Sequence, residues 1–202
     1  MTKIKFCGLK SREDIMAANI FKPDYIGFVF WEKSKRYVDE TKAESLKKDL
    51  NREIKAVGVF VDEEPDRVIE LLNKGIIDAV QLHGKESESY INHLRLHTDK
   101  PIIKAFIIRN EEDVFCANES IADYVLLDAG LGEGKSFDWE FLKNINRPFF
   151  MAGGLLPENV GEAVRRIKPY GVDVSSGIET SGHKDASKMG SFVANVRLAA
   201  NM

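Results

Sequence analysis

Eight short apolar runs recur along this chain at intervals of ~25 residues, each followed by a charged, amphipathic stretch, and no other feature narrows the possible folds as much. The runs are 4–8, 25–30, 55–61, 79–83, 101–108, 124–128, 149–152 and 171–175. They are rich in Val, Ile, Phe and Tyr and of strand length. The stretches between them read as helices. Ser11 is placed to cap a helix that buries Ile15 and Ala18. Segment 65–74 opens on Pro65, presents Val68, Leu71 and Leu72 on one face and stops at Gly75. Segments 89–96, 111–117 and 138–145 are shorter. Pro157 opens 157–167, where Val160, Ala163, Val164 and Ile167 fall at helical spacing. The last helix is 186–200. Eight strands alternating with eight helices predict an α/β fold with a parallel sheet, closed into a (β/α)8 barrel that takes residues 1–202 as one domain. An open doubly wound sheet is the alternative. It normally uses fewer strands, and the GxGxxG turn expected after its first strand is missing here.

Charge excludes some partners. There are 29 Lys and Arg against 32 Asp and Glu, a net −3, with no basic run. Nucleic acids and anionic membranes need clustered positive charge, so neither is an expected partner. No apolar stretch approaches the ~18 residues of a membrane span, and the N-terminus, with Lys3, Lys5 and Lys10, does not read as a secretory leader. Two cysteines, Cys7 and Cys116, make no disulfide framework, which fits a cytoplasmic chain with both thiols reduced.

Strands buried on both faces should be almost continuously apolar, so their polar residues are informative. Lys5 and Cys7 share one face of the first strand, Gln81 and His83 one face of the fourth, and Asp173 and Ser175 one face of the eighth. Asp128 ends the sixth. The opposite faces carry Ile4, Phe6, Val80, Leu82, Val125, Leu127, Val172 and Val174. In a barrel those apolar faces pack on helices, and the polar faces point into the lumen near its C-terminal mouth, where barrel enzymes place their chemistry. Each residue also has a plain structural explanation. A strand cysteine is a small buried hydrophobe, a strand-end aspartate caps a loop, His83 hydrogen-bonds within the core, and Lys5 neutralises Asp173. Their coincidence on one rim favours function. Two glycine-bearing loops follow the last strands: Gly153-Gly154 ahead of the helix at Pro157, and Ser175-Ser176-Gly177. Backbone N–H groups in such loops cradle phosphate. Arg36, within SKRYV, is either a solvated charge or an anion clamp. The four histidines form no ligand pattern, so no metal is expected.

In their order along the chain, KFCGLK (5–10), SKRYV (34–38), VGVFV (57–61), VQLHG (80–84), LLDAG (126–130), GKSFDW (134–139), AGGLLPENV (152–160) and GVDVSSGIE (171–179) resemble the phosphoribosylanthranilate isomerases of tryptophan biosynthesis. One stretch departs: where that family has Gly-Gly-Thr-Gly before Phe-Asp-Trp, this chain has Leu131, Gly132, Glu133 and Gly134. The resemblance implies a barrel of the ribulose-phosphate-binding type. It implies an Amadori rearrangement of N-(5-phosphoribosyl)anthranilate to 1-(2-carboxyphenylamino)-1-deoxyribulose 5-phosphate, with no cofactor. It makes Cys7 the general base and Asp128 the general acid. Arg36 would hold the anthranilate carboxylate, and Gly153, Gly154, Ser175, Ser176 and Gly177 the phosphate, with His83 among the substrate-binding residues. The expected partner is therefore a small phosphosugar, and the assembly a monomer or homodimer. Other phosphosugar barrels remain as alternatives, among them a non-catalytic one, which retention of both Cys7 and Asp128 argues against.

Overall fold

The computed structural model describes residues 1–128 and 139–200, with backbone only at 139–141. Eight parallel strands close into a barrel in sequence order: β1 (Lys3–Cys7), β2 (Tyr25–Val29), β3 (Lys55–Phe60), β4 (Ala79–Leu82), β5 (Ile102–Ile107), β6 (Tyr124–Asp128), β7 (Phe149–Ala152) and β8 (Gly171–Val174), with β8 pairing back onto β1. The connecting helices are α1 (Arg12–Phe21), α2 (Glu40–Asp49), α3 (Pro65–Asn73), α4 (Glu88–Arg95), α5 (Glu111–Glu119), α6 (Pro157–Ile167) and α7 (Ala186–Ala200). The segment expected as a helix over 138–145 is a tighter 3₁₀ helix, Trp139–Asn144, within the described residues. The atypical loop 131–134 lies outside them.

Local chemistry explains where the helices begin. Ser11 Oγ accepts from the Asp14 amide at 3.2 Å, and Asp14 Oδ2 accepts from the Ser11 and Lys10 amides, a reciprocal cap that satisfies orphan donors of the first turn. In the first turn of α6, Asn159 accepts from the Leu156 amide and donates to the Gly154 carbonyl at 2.9 Å. The cap thereby ties the helix start to the glycine loop.

The alternation within strands sorts the core into two parts. Ile4, Phe6, Val80, Leu82, Val125, Leu127, Val172 and Val174 face outward and join the helices' apolar sides in the main core. Inside the barrel, Val57, Ala79, Ile103, Leu126, Phe150 and Ala152 pack together with Tyr25, Tyr124 and Tyr170. The last three sit at or just before strand starts, so rings collect at the N-terminal mouth. Phe150 meets Tyr25, Tyr124 and Tyr170 edge-on, Tyr124 stacks on Tyr170 with centroids 4.7 Å apart, and the Tyr25 and Tyr170 hydroxyls lie 3.4 Å apart. Above this apolar floor come Lys5, Gln81 and Asp173, all buried, and above them Cys7, Val29 and Val59. Strand register puts Lys5 beside Asp173 and Cys7 beside Gly27.

Beyond β8 the chain makes a small hairpin, β9 (Glu179–Thr180) against β10 (His183–Lys184). Its Ser181-Gly182 turn has φ of 52° and 79°, the left-handed pair that a two-residue hairpin loop requires.

Candidate active site

The nine residues singled out from the sequence line a single cavity of about 490 Å³ at the C-terminal mouth. They are Cys7, Arg36, His83, Asp128, Gly153, Gly154, Ser175, Ser176 and Gly177. Asp173, Gln81, Trp31 and Ser34 complete the polar and aromatic part of its wall. The strands deliver Cys7 and Asp128 at their last positions, and His83 and Ser175 one residue beyond.

The base candidate sits deep. Cys7 is 8% exposed, and Ser175 Oγ donates to its carbonyl at 3.0 Å. Burial, helped by the Asp173 carboxylate, holds the thiol above its ordinary value; the ammoniums of Lys5 and Lys184 pull it down but offset only part of that rise. Lys5 is fully buried and donates to Asp173 Oδ1 at 2.9 Å. Burial disfavours its charge, but Asp173 and Cys7 outweigh that and keep the lysine protonated.

Asp128 faces His83, whose Nε2 lies 3.8 Å from Asp128 Oδ2. His83 Nδ1 is 2.9 Å from Gln81 Nε2, and its amide donates to the Phe60 carbonyl. Burial holds the imidazole below its ordinary value against the pull of Asp128, so near neutrality it is uncharged. A neutral imidazole beside a carboxyl can pass or steady a proton without adding a competing charge.

Arg36 reaches the mouth across Gly8. Gly8 has φ of +76°, and a Cβ there would fall 2.3 Å from Arg36 Cδ, so only glycine lets the guanidinium stem lie over the end of β1. Arg36 does not arrive free. Nε and Nη2 donate to the two oxygens of Glu179, each at 2.7 Å. Glu179 also accepts from Lys184 at 2.8 Å, and Lys184 donates onward to the Ser175 carbonyl at 2.9 Å. Burial would raise the Glu179 carboxyl, but its two cationic partners hold it at about 2.

On the far side, Gly153 and Gly154 have φ of 86° and 61°, and the Ser176–Ile178 3₁₀ turn follows β8. Gly177 lies so close to Leu155 that a Cβ would collide with its carbonyl oxygen at 1.9 Å. The two loops therefore touch, and a single anion can be reached from both. Among the described residues no group of three or more His, Cys, Asp or Glu side chains is placed to hold a metal ion.

Two parts of the site were not singled out from the sequence. Glu179 was visible only as the last letter of DVSSGIE, and Lys184 not at all. The signal that could have found them is Ser181-Gly182, a hairpin dipeptide that folds Lys184 back beside Glu179.

A family model described as N-(5'phosphoribosyl)anthranilate (PRA) isomerase matches residues 4–195. The chain is similar to the N-(5'-phosphoribosyl)anthranilate isomerase of Endomicrobium trichonymphae, with 45% identity over 194 residues that cover 94% of this chain and 95% of that one. It superposes on the phosphoribosyl anthranilate isomerase structure from Thermotoga maritima with a TM-score of 0.88 at 34% identity, over 98% and 99% of the two chains. A phosphoribosyl anthranilate isomerase structure in complex with reduced 1-(o-carboxyphenylamino)-1-deoxyribulose 5-phosphate gives 0.86 at 34% identity, over the same shares.

Proposed function

The chain belongs to the N-(5'-phosphoribosyl)anthranilate isomerase family, and from that premise we propose how its barrel mouth divides the work. The enzyme isomerises N-(5-phosphoribosyl)anthranilate to 1-(2-carboxyphenylamino)-1-deoxyribulose 5-phosphate in tryptophan biosynthesis. In our reading Asp128 is the acid and Cys7 the base. Asp128 donates a proton to the ribose ring oxygen as the nitrogen lone pair expels it. The C1′–O bond breaks and an iminium forms. That cation acidifies C2′, and the Cys7 thiolate removes its proton. The C–H electron pair becomes an enolamine double bond and neutralises nitrogen. Tautomerisation then leaves a ketone at C2′ and an amine at C1′. C2′ is oxidised and C1′ reduced within one molecule, so the chemistry as written calls for no cofactor or metal.

Binding follows the same geometry. The touching loops at Gly153-Gly154 and Ser175–Gly177 take the phosphate, Arg36 takes the aryl carboxylate, and His83 steadies the proton that Asp128 gives up. The observation that carries this reading is that Cys7 and Asp128, on strands one and six, line one cavity with both anion-binding ends. General acid and base assistance of this kind is worth ~10²–10⁴ in rate for each group.

The chain is read as one barrel domain over residues 1–202, placed in the cytoplasm, where two unpaired cysteines are at home. Its partner is the phosphosugar substrate, and its assembly a monomer or homodimer. The test is a coupled assay with freshly generated phosphoribosylanthranilate, followed by loss of anthranilate-like fluorescence. Turnover in the wild type that disappears in both Cys7→Ala and Asp128→Asn supports the reading. Full turnover in either variant removes that residue from its role.

A further inference from the structure

Lys5 has no part in the scheme above, although it is the most completely buried charge beside the base. A methyl placed on Gly27 would stand 2.9 Å from Cys7 Sγ and 3.3 Å from Lys5 Nζ. Thiol and ammonium thus lean over one α-carbon and share the space that the glycine leaves. The ammonium carries three donors, and Asp173 accepts one of them at 2.9 Å. Lys5 does not line the cavity, whereas Cys7 and Asp173 do. It lies under the floor, where it cannot reach the substrate but can reach the sulfur.

We propose that Lys5, anchored by Asp173, is the positioning residue that lets Cys7 act as a base, by stabilising the thiolate that takes the C2′ proton against the burial that disfavours it. The inference rests on the reading of Cys7 as the base. No proton leaves Lys5 in the step: the proton from C2′ ends on sulfur, and the Lys5–Asp173 pair stays charged throughout. The other charges facing Cys7 are few. Lys184 of β10 favours the thiolate and Asp173 of β8 opposes it, and Arg36 approaches over Gly8. β2 and β3 add only Val29 and Val59, while His83 follows β4 and Asp128 ends β6. Lys184 is committed to Glu179 and Ser175, and Arg36 to Glu179. Lys5, with one of its three donors on Asp173, keeps donors that can turn to the sulfur.

The experiment is a pH titration of the Cys7 thiol in a Cys116→Ser background, read by thiolate ultraviolet absorbance and by the rate of iodoacetamide alkylation. Lys5→Met should raise the midpoint by about one unit, a tenfold smaller thiolate fraction at neutral pH. The acid limb of kcat/KM should move with it. Asp173→Asn keeps the ammonium and removes the competing carboxylate, so it should move the midpoint the opposite way. This second variant carries the test should Lys5→Met fail to fold, because a purely structural ion pair predicts no signed shift. An unchanged midpoint in folded Lys5→Met, or an unchanged or raised midpoint in Asp173→Asn, overturns the proposal. Turnover by Cys7→Ala would instead overturn the base reading, and the thiol titration would still report on Lys5.

Discussion

Glu179 occupies one of the two forks that the Arg36 guanidinium can offer, taking Nε and Nη2 at 2.7 Å each. A planar guanidinium has a side fork, Nε with Nη2, and an end fork, Nη1 with Nη2. With the side fork taken, the end fork is the one left for an incoming carboxylate, and it is the one the proposed function needs. Glu179 thus aims the arginine, and Lys184 behind it keeps Glu179 anionic.

Arg36→Met should weaken binding of phosphoribosylanthranilate by ~1.5–3 kcal/mol, the scale of hydrogen bonds to charged groups. It should matter much less for a phosphoribosyl aniline that lacks the carboxylate. The check is the ratio of kcat/KM, wild type over variant, for each substrate. Equal ratios would mean that Arg36 does not read the carboxylate.

Glu179→Gln leaves a neutral partner of the same shape, so the arginine loses its aim more than its charge. KM should rise several-fold with a smaller change in kcat. The same residue gives a pH signature. Its folded-state carboxyl sits at about 2 against an ordinary 4.5, so the stability it supplies is present above the ordinary value and is lost as pH falls towards 2. Thermal melts should show the wild type losing Tm more steeply than Glu179→Gln over that interval. Parallel losses would show that the pair adds nothing to the fold.

Asp128→Asn should cost at least ~10² in kcat with KM and Tm little changed, because the amide keeps the size and polarity of the group but has no carboxylic proton to give. A variant that melts early while its folded fraction keeps full specific activity would make Asp128 a structural residue.

Ser176→Asp introduces a carboxylate on the exposed rim of the strand-eight loop, in the cavity that Gly153-Gly154 also line. KM should rise at least tenfold, and inorganic phosphate should lose its power to compete. An unaltered KM would move the phosphate away from these loops.

The barrel was legible because burial on both strand faces leaves so little freedom: Lys5, Cys7, Gln81 and Asp173 stood out against otherwise apolar strands. Helix α2 was harder to place. It buries only Ala43 and Leu46 among charged residues, so its apolar stripe is too narrow to register as a period. The 3₁₀ form of Trp139–Asn144 differs from an α-helix by hydrogen-bond register, which composition does not encode. At the site, residues fixed by strand position could be read one at a time. Glu179 and Lys184 could not, since their meaning lies in a contact with Arg36, 143 residues from Glu179 along the chain. Pairing at that distance follows from barrel closure and has no local signature.

The four rings at the N-terminal mouth turn the barrel into a blind well. The cavity above them shares no lining residue with the groove at the opposite end, which Tyr170 faces from below. Among the described residues the well opens at its C-terminal end, so substrate and product share that side. Product held there occupies the place of the next substrate, so it should inhibit competitively. A molecule too long to turn over inside must also arrive facing the way it will react, so its orientation is chosen at the threshold, before any chemistry begins.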